Sequence, residues 1–147
     1  MRLPNRTDYA IRASLELAAN PDQAITVAEV ARKQRIPVRY LGAIMTQLRK
    51  AGIVEAQRGP DGGYRLAKSA SKIMLADVIR AIDGALTEVG GARPENLKYI
   101  GSANGLAQVW IAIRAAERQI LDQVSLASVI SGKLPKTVQS LLKSPRA

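Results

Sequence analysis

Residues 26–66, TVAEVARKQRIPVRYLGAIMTQLRKAGIVEAQRGPDGGYRL, predict two short helices followed by a β-hairpin. Thr26 can cap the first helix by accepting a bond from a first-turn amide, while Glu29 can reach back to the amide of the cap. Pro37 fixes the backbone at the start of the second helix. Gly52 supplies the left-handed residue that commonly closes a helix. Two helices joined by so short a connection are typical of a helix-turn-helix.

The second helix and the residues after it have different patterns. One face of the helix is apolar at helical spacing: Leu41, Ile44, Leu48 and Ala51. Residues 53–58 and 64–67 are extended-type runs, and the Gly-Pro-Asp-Gly-Gly between them has strong turn chemistry. The predicted fold class is therefore mainly α with a small β-hairpin wing, a winged helix-turn-helix.

The charge along this stretch indicates its partner. Between Glu29 and Glu55 the sequence has no acidic residue, and its basic residues are Arg32, Lys33, Arg35, Arg39, Arg49 and Lys50. A solvated helix surface normally mixes both signs, whereas one sign over two adjacent helices is expected where a protein meets phosphate. A basic surface kept for solubility is the alternative. We favour DNA.

The overall composition sets a class of partner without choosing among its members. The chain has 147 residues, enough for one domain with a real core, and a formal charge of +10. Residues 1–68 hold 12 basic and 6 acidic residues, a net of +6, and residues 69–147 hold 10 and 6, a net of +4. The basic excess leans towards the predicted helix-turn-helix. Net charge alone would also fit RNA or an anionic membrane surface.

Missing residue types exclude several kinds of site. The chain has no cysteine and no histidine, so a disulfide, a thiolate zinc site or a cysteine-ligated cluster cannot form. We expect no metal and no cofactor. No paired-carboxylate, nucleophile–base or phosphate-loop arrangement is evident, which argues against an enzyme. No apolar run is long enough to cross a bilayer and no signal-peptide core is present, so we expect a cytoplasmic protein without a membrane partner.

The sequence on either side of the helix-turn-helix supplies supporting helices. The first is expected to begin at Asn5 and to stop at Asn20-Pro21, with Tyr9 as a core residue whose hydroxyl stays wet. Another is expected from Leu75 to Asp83, where apolar residues repeat at i, i+3, i+4 and i+7. Residues 1–84 are thus expected to form the DNA-binding domain.

Residues 85–105 change in character. The segment contains four glycines and a proline, so regular structure is not expected through most of it. A loop of this length is usually functional or partly disordered. We expect a flexible loop for which the sequence identifies no ligand, and a mobile connector and a functional loop both stay open.

Residues 106–124 form the longest helical pattern. Their apolar residues alternate at intervals of three and four, close to a heptad seam: Leu106, Val109, Ile113, Ala116, Ile120 and Val124, with Trp110 and Leu121 beside them. A seam of this length on a small domain predicts pairing with the same helix of a second subunit, and packing on its own domain is the alternative. A short helix should complete residues 106–132. Residues 133–147 should be a loose basic tail, with one amphipathic turn through Val138, Leu141 and Leu142 as the alternative.

Together these motifs resemble the Rrf-type winged-helix transcription regulators. This bacterial group includes the repressor of iron-sulfur cluster assembly, nitric-oxide-sensing repressors and a cysteine-metabolism repressor. The similarity covers residues 1–132 and is most specific in LRKAGIV at 48–54 and RGPDGGYRL at 58–66. Further matches are Tyr9-Ala10, Tyr40-Leu41, Leu75–Val78 and Ser125–Ala127.

The resemblance implies a homodimer, crossed through the long helix, on a pseudo-palindromic operator in double-stranded DNA. The helix from Val38 would enter the major groove, and Arg58 would enter a minor groove whose narrowness concentrates negative potential. Arg39 and Tyr40 are candidates for base-edge and phosphate contacts, although Arg39 could instead hold a phosphate. The candidate DNA-binding residues are Thr26, Pro37, Val38, Arg39, Tyr40, Arg49, Lys50, Arg58, Gly59, Gly62 and Gly63. The candidate dimer interface is Leu106, Val109, Trp110, Ile113, Ile120 and Val124.

Two departures from the family pattern shape the predicted function. Gly42 and Ala43 stand where relatives often have polar residues, so base readout is expected to differ. Many relatives hold an iron-sulfur cluster through cysteines in the loop before the long helix, and residues 85–105 have none. We therefore predict a cluster-free, sequence-specific, homodimeric regulator that responds to an unknown metabolite or partner protein. We favour a repressor over an activator. The alternative is an architectural protein that binds DNA or RNA without sequence preference.

Overall fold

The structure, a computed structural model, describes residues 1–144, so the last three residues of the predicted tail lie outside it. Within these residues, seven α-helices and one hairpin follow each other along the chain. They are α1 (Asn5–Ala19), α2 (Val27–Gln34), α3 (Val38–Lys50), β1 (Val54–Gln57), β2 (Gly63–Leu66), α4 (Leu75–Asp83), α5 (Leu106–Leu121), α6 (Leu126–Ser131) and α7 (Lys136–Leu142). The predicted fold class is confirmed. No helix in the described part of the chain is long and apolar enough to span a membrane.

Helix α1 is the central element of the core and packs against α2, α3, α4 and α6. Its buried apolar face consists mostly of small residues, which let the neighbouring helices approach closely: Ala10, Ala13, Leu17 and Ala18. Thr7 and Ser14 on the same helix are also fully buried. The Thr7 hydroxyl donates to the Asp83 carboxylate at the end of α4, and the Ser14 hydroxyl donates to the Ala10 carbonyl. Both buried polar groups are therefore satisfied.

The N-terminal cap of α2 agrees with the prediction for Thr26 and differs from the prediction for Glu29. The Thr26 hydroxyl accepts a bond from the Glu29 amide at 3.2 Å, as predicted. The Glu29 carboxylate, however, lies 3.6 Å from the Lys33 ammonium and 4.0 Å from the Arg32 guanidinium. Two cations one turn further along attract the carboxylate more strongly than a neutral amide does. The predicted return of Glu29 to the cap is therefore wrong.

The turn between α2 and α3 depends on a residue that the sequence analysis did not single out. Arg35 has a left-handed backbone with φ 53°, a conformation that costs a non-glycine residue about 1–2 kcal/mol. It brings Ile36 into the core, where its amide bonds the Ala31 carbonyl at 3.0 Å. The buried face of α3 that follows is Leu41, Ile44, Met45 and Leu48. Ala51, predicted on this face, is exposed because it lies just beyond the end of the helix.

Strands β1 and β2 form the predicted antiparallel hairpin, with Val54 opposite Leu66. Each strand end differs from its predicted position by one residue. β1 starts later than predicted because the Ile53 amide bonds the Leu48 carbonyl at the end of α3, at 2.9 Å. That amide therefore closes the helix instead of extending the strand.

Gly63 allows the hairpin to join the helix-turn-helix. Tyr64 exchanges two backbone hydrogen bonds with Ile25, at 2.7 and 2.8 Å, immediately before the cap of α2. This pairing brings Gly63 so close that a Cβ built there would lie 2.5 Å from the Ile25 carbonyl carbon. Its φ is 144°, a value that side chains rarely tolerate. A contact inside the protein therefore explains this glycine.

After α5 the chain returns to α4 and buries Val124. The Leu75 amide bonds the Val124 carbonyl at 2.9 Å, and the Leu126 amide bonds the Ile73 carbonyl at 2.9 Å. Val124 is 3% exposed and lies three residues beyond the end of α5. The predicted helix over 106–124 is therefore three residues too long. The assignment of Val124 to the dimer interface is wrong, since the residue belongs to the core of its own protomer.

Residues 85–105 follow an irregular path that stays in contact with α5. Two short 3₁₀ turns, Pro94–Asn96 and Gly101–Ala103, are the helical elements described in this segment. The Glu95 carboxylate pairs with Arg114 of α5, and the hydrogen bond from Arg114 holds the pKa of Glu95 below its usual value. The Thr87 hydroxyl donates to Glu117, also on α5. The irregular backbone agrees with the prediction, and the flexibility of the segment stays a prediction.

Part of the predicted loose tail forms a helix. Residues 136–142 form α7 after Pro135, which lies at its N-cap. Leu141 and Leu142 on this helix are 54% and 73% exposed. These two side chains therefore face solvent in the single chain, whereas Val138 is half-buried and α7 contacts α5.

Replacing Gly63 with alanine tests the junction between wing and helix-turn-helix. We expect Gly63→Ala to lower the free energy of unfolding by at least about 2 kcal/mol, because the added Cβ would meet the Ile25 backbone at a positive φ. Gly42→Ala is the matched control, since nothing lies within 4 Å of a Cβ there and the residue is inside α3. It should stabilise the fold by about 0.5–1 kcal/mol. Equal urea midpoints for both variants would contradict the assignment.

Candidate nucleic-acid interface

The first turns of α3 present an exposed face. Val38 is 56% exposed and Tyr40 is 45% exposed, with Arg39 exposed between them. Leu41, the next residue, is fully buried and anchors this turn to the core. The three candidate DNA-binding residues at the start of α3 therefore lie together on the solvent side of a helix whose opposite side is fixed.

A stack of aromatic rings and guanidinium groups joins α1 to this face. The Arg39 guanidinium lies over the Tyr40 ring at 4.8 Å and donates a bond to the Tyr40 hydroxyl at 2.9 Å. The Tyr40 ring stacks on Tyr9 of α1, with centroids 6.1 Å apart. The Arg12 guanidinium lies 5.5 Å from the Tyr9 ring centroid. Because such contacts are attractive and directional, they hold Arg39 and Tyr40 in one orientation.

Sequence reasoning missed the contribution of α1 to this surface. Asn5, Arg6 and Tyr9 line a cleft of about 450 Å³ together with three residues of α3. The Arg6 guanidinium donates to the Gln47 side chain of α3. Tyr9 is half-buried and stacks on Tyr40, which is more than the predicted core role. The available signal was the spacing of residues 5, 6 and 9, which places them on neighbouring positions of one helix edge.

The basic residues of α2 and α3 divide into paired and unpaired cations. All six of the predicted set are exposed. Glu29 lies within ion-pair distance of Arg32 and Lys33 and offsets part of their charge. Within residues 1–144, no carboxylate lies within ion-pair distance of the other four, which are Arg35, Arg39, Arg49 and Lys50. These four leave the surface with a positive charge that its own protein does not neutralise.

The candidate residues on α2 and α3 do not all meet at one point. Pro37 is the exposed N-cap of α3 and Thr26 is the exposed cap of α2, so each lies at a helix start. Arg49 and Lys50 lie at the far end of α3. Ten residues separate Arg39 from Arg49, which is about 15 Å along a helix. The two ends of α3 therefore cannot contact the same base pair.

The residues of the wing differ in how closely the rest of the protein surrounds them. Arg58 is exposed at the end of the hairpin. Gly59 has a positive φ of 106° and no neighbour within 4 Å of a Cβ, so its surroundings are open. At Gly62, in contrast, a Cβ would lie 2.6 Å from the Gln57 carbonyl oxygen. Gly62, like Gly63, is thus required by contacts within the protein, independently of any contact with DNA.

Helix α5 has an apolar surface that its own chain does not cover. None of its residues is buried. Val109 and Ile113 of the predicted seam are 50% and 41% exposed, and Ile111, which the sequence analysis did not select, is 38% exposed. Leu106 and Ile120 are half-buried. Trp110 is also half-buried, and its indole N–H donates to the Tyr99 hydroxyl at 3.1 Å, within its own protomer.

Comparison with known proteins identifies the family. Residues 3–132 match the family model described as Rrf2, iron-dependent transcriptional regulator. The chain belongs to the Rrf2 family. It is 38% identical to Rv1287 of Mycobacterium tuberculosis, provisionally named an HTH-type transcriptional regulator, over 100% of this chain and 92% of that protein. It is 30% identical to the HTH-type transcriptional regulator IscR of Cereibacter sphaeroides, over 91% and 90% of the two chains.

Solved structures agree with this family membership. The structure of CymR, the global cysteine regulator of Bacillus subtilis, superposes with a TM-score of 0.76 at 26% identity, over 90% of this chain and 98% of that one. A protein from Listeria innocua, provisionally named a transcriptional regulator, superposes with a TM-score of 0.75 at 28% identity, over 100% of this chain and 95% of that one. This Rrf2 protein is thus a DNA-binding transcriptional regulator and not an enzyme.

The iron dependence in the family description does not fit this Rrf2 protein. Iron-sulfur clusters are held by cysteine thiolates, with histidine as the usual substitute, and the chain has neither residue. Among residues 1–144, no three acidic side chains converge as a possible metal site either. In residues 85–105, Glu95 is engaged with Arg114. The residues present therefore do not provide ligands for a cluster.

Proposed function

We propose that the chain is a sequence-specific, cluster-free, homodimeric repressor that binds a pseudo-palindromic operator. The observation that carries this proposal is the exposed Arg39–Tyr40 pair, held in one orientation by Tyr9 beside unneutralised cations. A fixed guanidinium at the start of a helix can bond the two acceptors of a guanine, worth about 1–3 kcal/mol of discrimination. A dimer seated on an operator represses by excluding other proteins from that DNA.

The remaining contacts are assigned by position. Arg58 at the exposed hairpin end is proposed to enter the minor groove, with Gly59 letting the turn approach the sugar-phosphate edge. Arg49 and Lys50, about 15 Å from Arg39 along α3, are proposed to bind flanking phosphates. Thr26 and Pro37 would set the orientation of the two helix starts against the backbone. The signal is proposed to be a small metabolite or a partner protein.

A second candidate is an architectural protein that binds DNA or RNA without strong sequence preference. It is favoured by Gly42 and Ala43, which are exposed on α3 and offer no side-chain hydrogen bond to a base edge. Both candidates predict steep salt dependence, since both depend on phosphate contacts. They differ in the ratio of specific to nonspecific affinity.

Selection of bound genomic fragments by the purified, metal-free protein separates the two candidates. The affinity for the enriched duplex and for a scrambled duplex should be measured at one salt concentration. We expect a palindrome bound about a thousandfold more tightly or better, as is typical of specific regulators. Equal affinities for the two duplexes would favour the architectural candidate.

Variants on the same duplex test the assignment of the wing. Arg58→Ala should weaken operator binding by about 1–2 kcal/mol if this arginine lies in a narrow groove. Lys98→Ala is the matched control, because Lys98 is exposed but lies in residues 85–105, outside α1–α3 and the wing. It should bind like the parent protein. An equal loss for both variants would mean that net charge alone matters.

The homodimer is proposed to form through the exposed side of α5. We expect Val109→Glu combined with Ile113→Glu to give monomers at micromolar concentration by sedimentation velocity. Both side chains are exposed in the single chain, so the protomer should keep its fold, whereas four buried charges would destabilise a paired seam. Gln119→Glu, an exposed charge substitution on the same helix, should leave the dimer intact. Dimers of the double variant would contradict the assignment.

A further inference from the structure

A second cleft lies away from the proposed DNA-binding face, between α4, the start of residues 85–105, and α5. We name it the arginine cleft. Its lining comprises Arg80, Arg93, Arg114, Arg118, Asp122 and residues 84–87. Its volume of about 630 Å³ is within the range of small-molecule sites. None of the candidate DNA-binding residues contributes to it.

The arginine cleft contains more positive charge than its carboxylates neutralise. Asp122 serves two arginines, since it lies 2.8 Å from Arg80 and 3.0 Å from Arg118. The hydrogen bond from Arg80, with that from Arg118, lowers the pKa of Asp122. Arg114 pairs with Glu95, which lies outside the lining. Within the described residues, Arg93 has no carboxylate within ion-pair distance.

The balance of these charges defines the chemistry of a ligand. Asp77 lies 4.0 Å from Arg80 and is a third carboxylate beside the cleft. Four guanidinium groups and the three carboxylates Asp77, Glu95 and Asp122 leave a net charge of +1. Guanidinium groups bind carboxylate and phosphate through two parallel hydrogen bonds, and are more weakly hydrated than ammonium groups. A concave site of one sign also concentrates its counter-ion. Displacement of Asp122 from Arg80 and Arg118 would raise this charge to +2. A ligand with two negative charges that takes the place of Asp122 would then neutralise the cleft and bring Arg93 a partner.

We propose that the arginine cleft binds a small dianion, either a phosphate ester or a dicarboxylate, as the effector of this regulator. Its role as an effector site rests on the proposed function, whereas the binding of the dianion does not. The ligand would compete with Asp122 for Arg80 and Arg118. It would thereby loosen the contact between α4 and the end of α5.

Direct contacts connect the arginine cleft to the exposed start of α3. Asp83 precedes the turn that lines the cleft and accepts a bond from the buried Thr7 of α1. The neighbouring residue Arg6 donates to Gln47 of α3. Two residues further along α1, Tyr9 stacks on Tyr40. Helix α1 therefore connects the end of α4 to two contacts with α3, Arg6–Gln47 and Tyr9–Tyr40. A displacement at the end of α4 would be transmitted to both contacts through α1.

Fluorescence of Trp110, the one tryptophan in the chain, reports on ligand binding without DNA. Trp110 lies one turn before Arg114 on α5. Titration with inorganic phosphate at pH 8 and with succinate should each be compared with sodium chloride at matched ionic strength. We expect a saturable change with at least one dianion, and the stronger of the two identifies the ligand class. Responses equal to that of chloride would overturn the proposal.

Paired variants distinguish the cleft from general attraction to a basic protein. Arg93→Gln with Arg118→Gln should weaken dianion binding at least about tenfold. Lys98→Gln, an exposed charge outside the cleft, should bind like the parent protein. Asp122→Asn should strengthen binding about threefold or more, because the competing carboxylate is gone. Loss of structure cannot tighten binding, so tighter binding by Asp122→Asn supports the competition. Unchanged or weaker binding by an Asp122→Asn protein with the unfolding midpoint of the parent would overturn it.

A final measurement tests the role of the arginine cleft as an effector site. The affinity for the selected operator should change at least about fivefold when the dianion saturates the cleft, within the usual range of allosteric coupling. Saturable binding of the dianion with an unchanged operator affinity would overturn the effector role and leave the binding site in place. Failure to enrich any operator would instead count against the proposed function.

Discussion

The backbone pairing of Tyr64 with Ile25 is the constraint on which the relative position of the wing and the helix-turn-helix depends. Ile25 immediately precedes the cap of α2, so two hydrogen bonds fix the wing against the helix-turn-helix. The pairing leaves no room for a side chain at residue 63. A second backbone bond, from Ile53 to Leu48, joins the wing to α3. These backbone bonds set the position of the wing backbone relative to α2 and α3.

Two surfaces of the chain remain unsatisfied in the single protomer. The start of α3 carries positive charge with no carboxylate partner among the described residues, and α5 leaves Val109, Ile111 and Ile113 exposed. Burying such side chains stabilises by about 1.5–3 kcal/mol each at most. A dimer on DNA would satisfy both surfaces, because pairing two protomers through α5 would present two charged faces to one duplex. Each half-site contact would then be strengthened by the other.

The sequence predicted the features that local chemistry determines. The cap at Thr26, the bounds of α3 and α4, and the hairpin at the Gly-rich turn follow from turn residues and periodicity. Features that depend on long-range contacts were missed. Nothing local shows that Arg35 takes a left-handed backbone, that Val124 is pulled into the core by Leu75, or that Tyr9 stacks on Tyr40. The arginine cleft is likewise assembled from residues up to 42 positions apart, from 80 to 122.

The mass of the complex on the selected operator tests most directly whether the two unsatisfied surfaces act together. Sedimentation equilibrium with a short duplex that contains one palindrome should give two chains per duplex at saturation. Halving the palindrome should reduce both the affinity and the cooperativity while the protein in solution stays dimeric. A single chain bound tightly to the full site would contradict this joint action. So would a number of bound chains that grows with duplex length regardless of sequence.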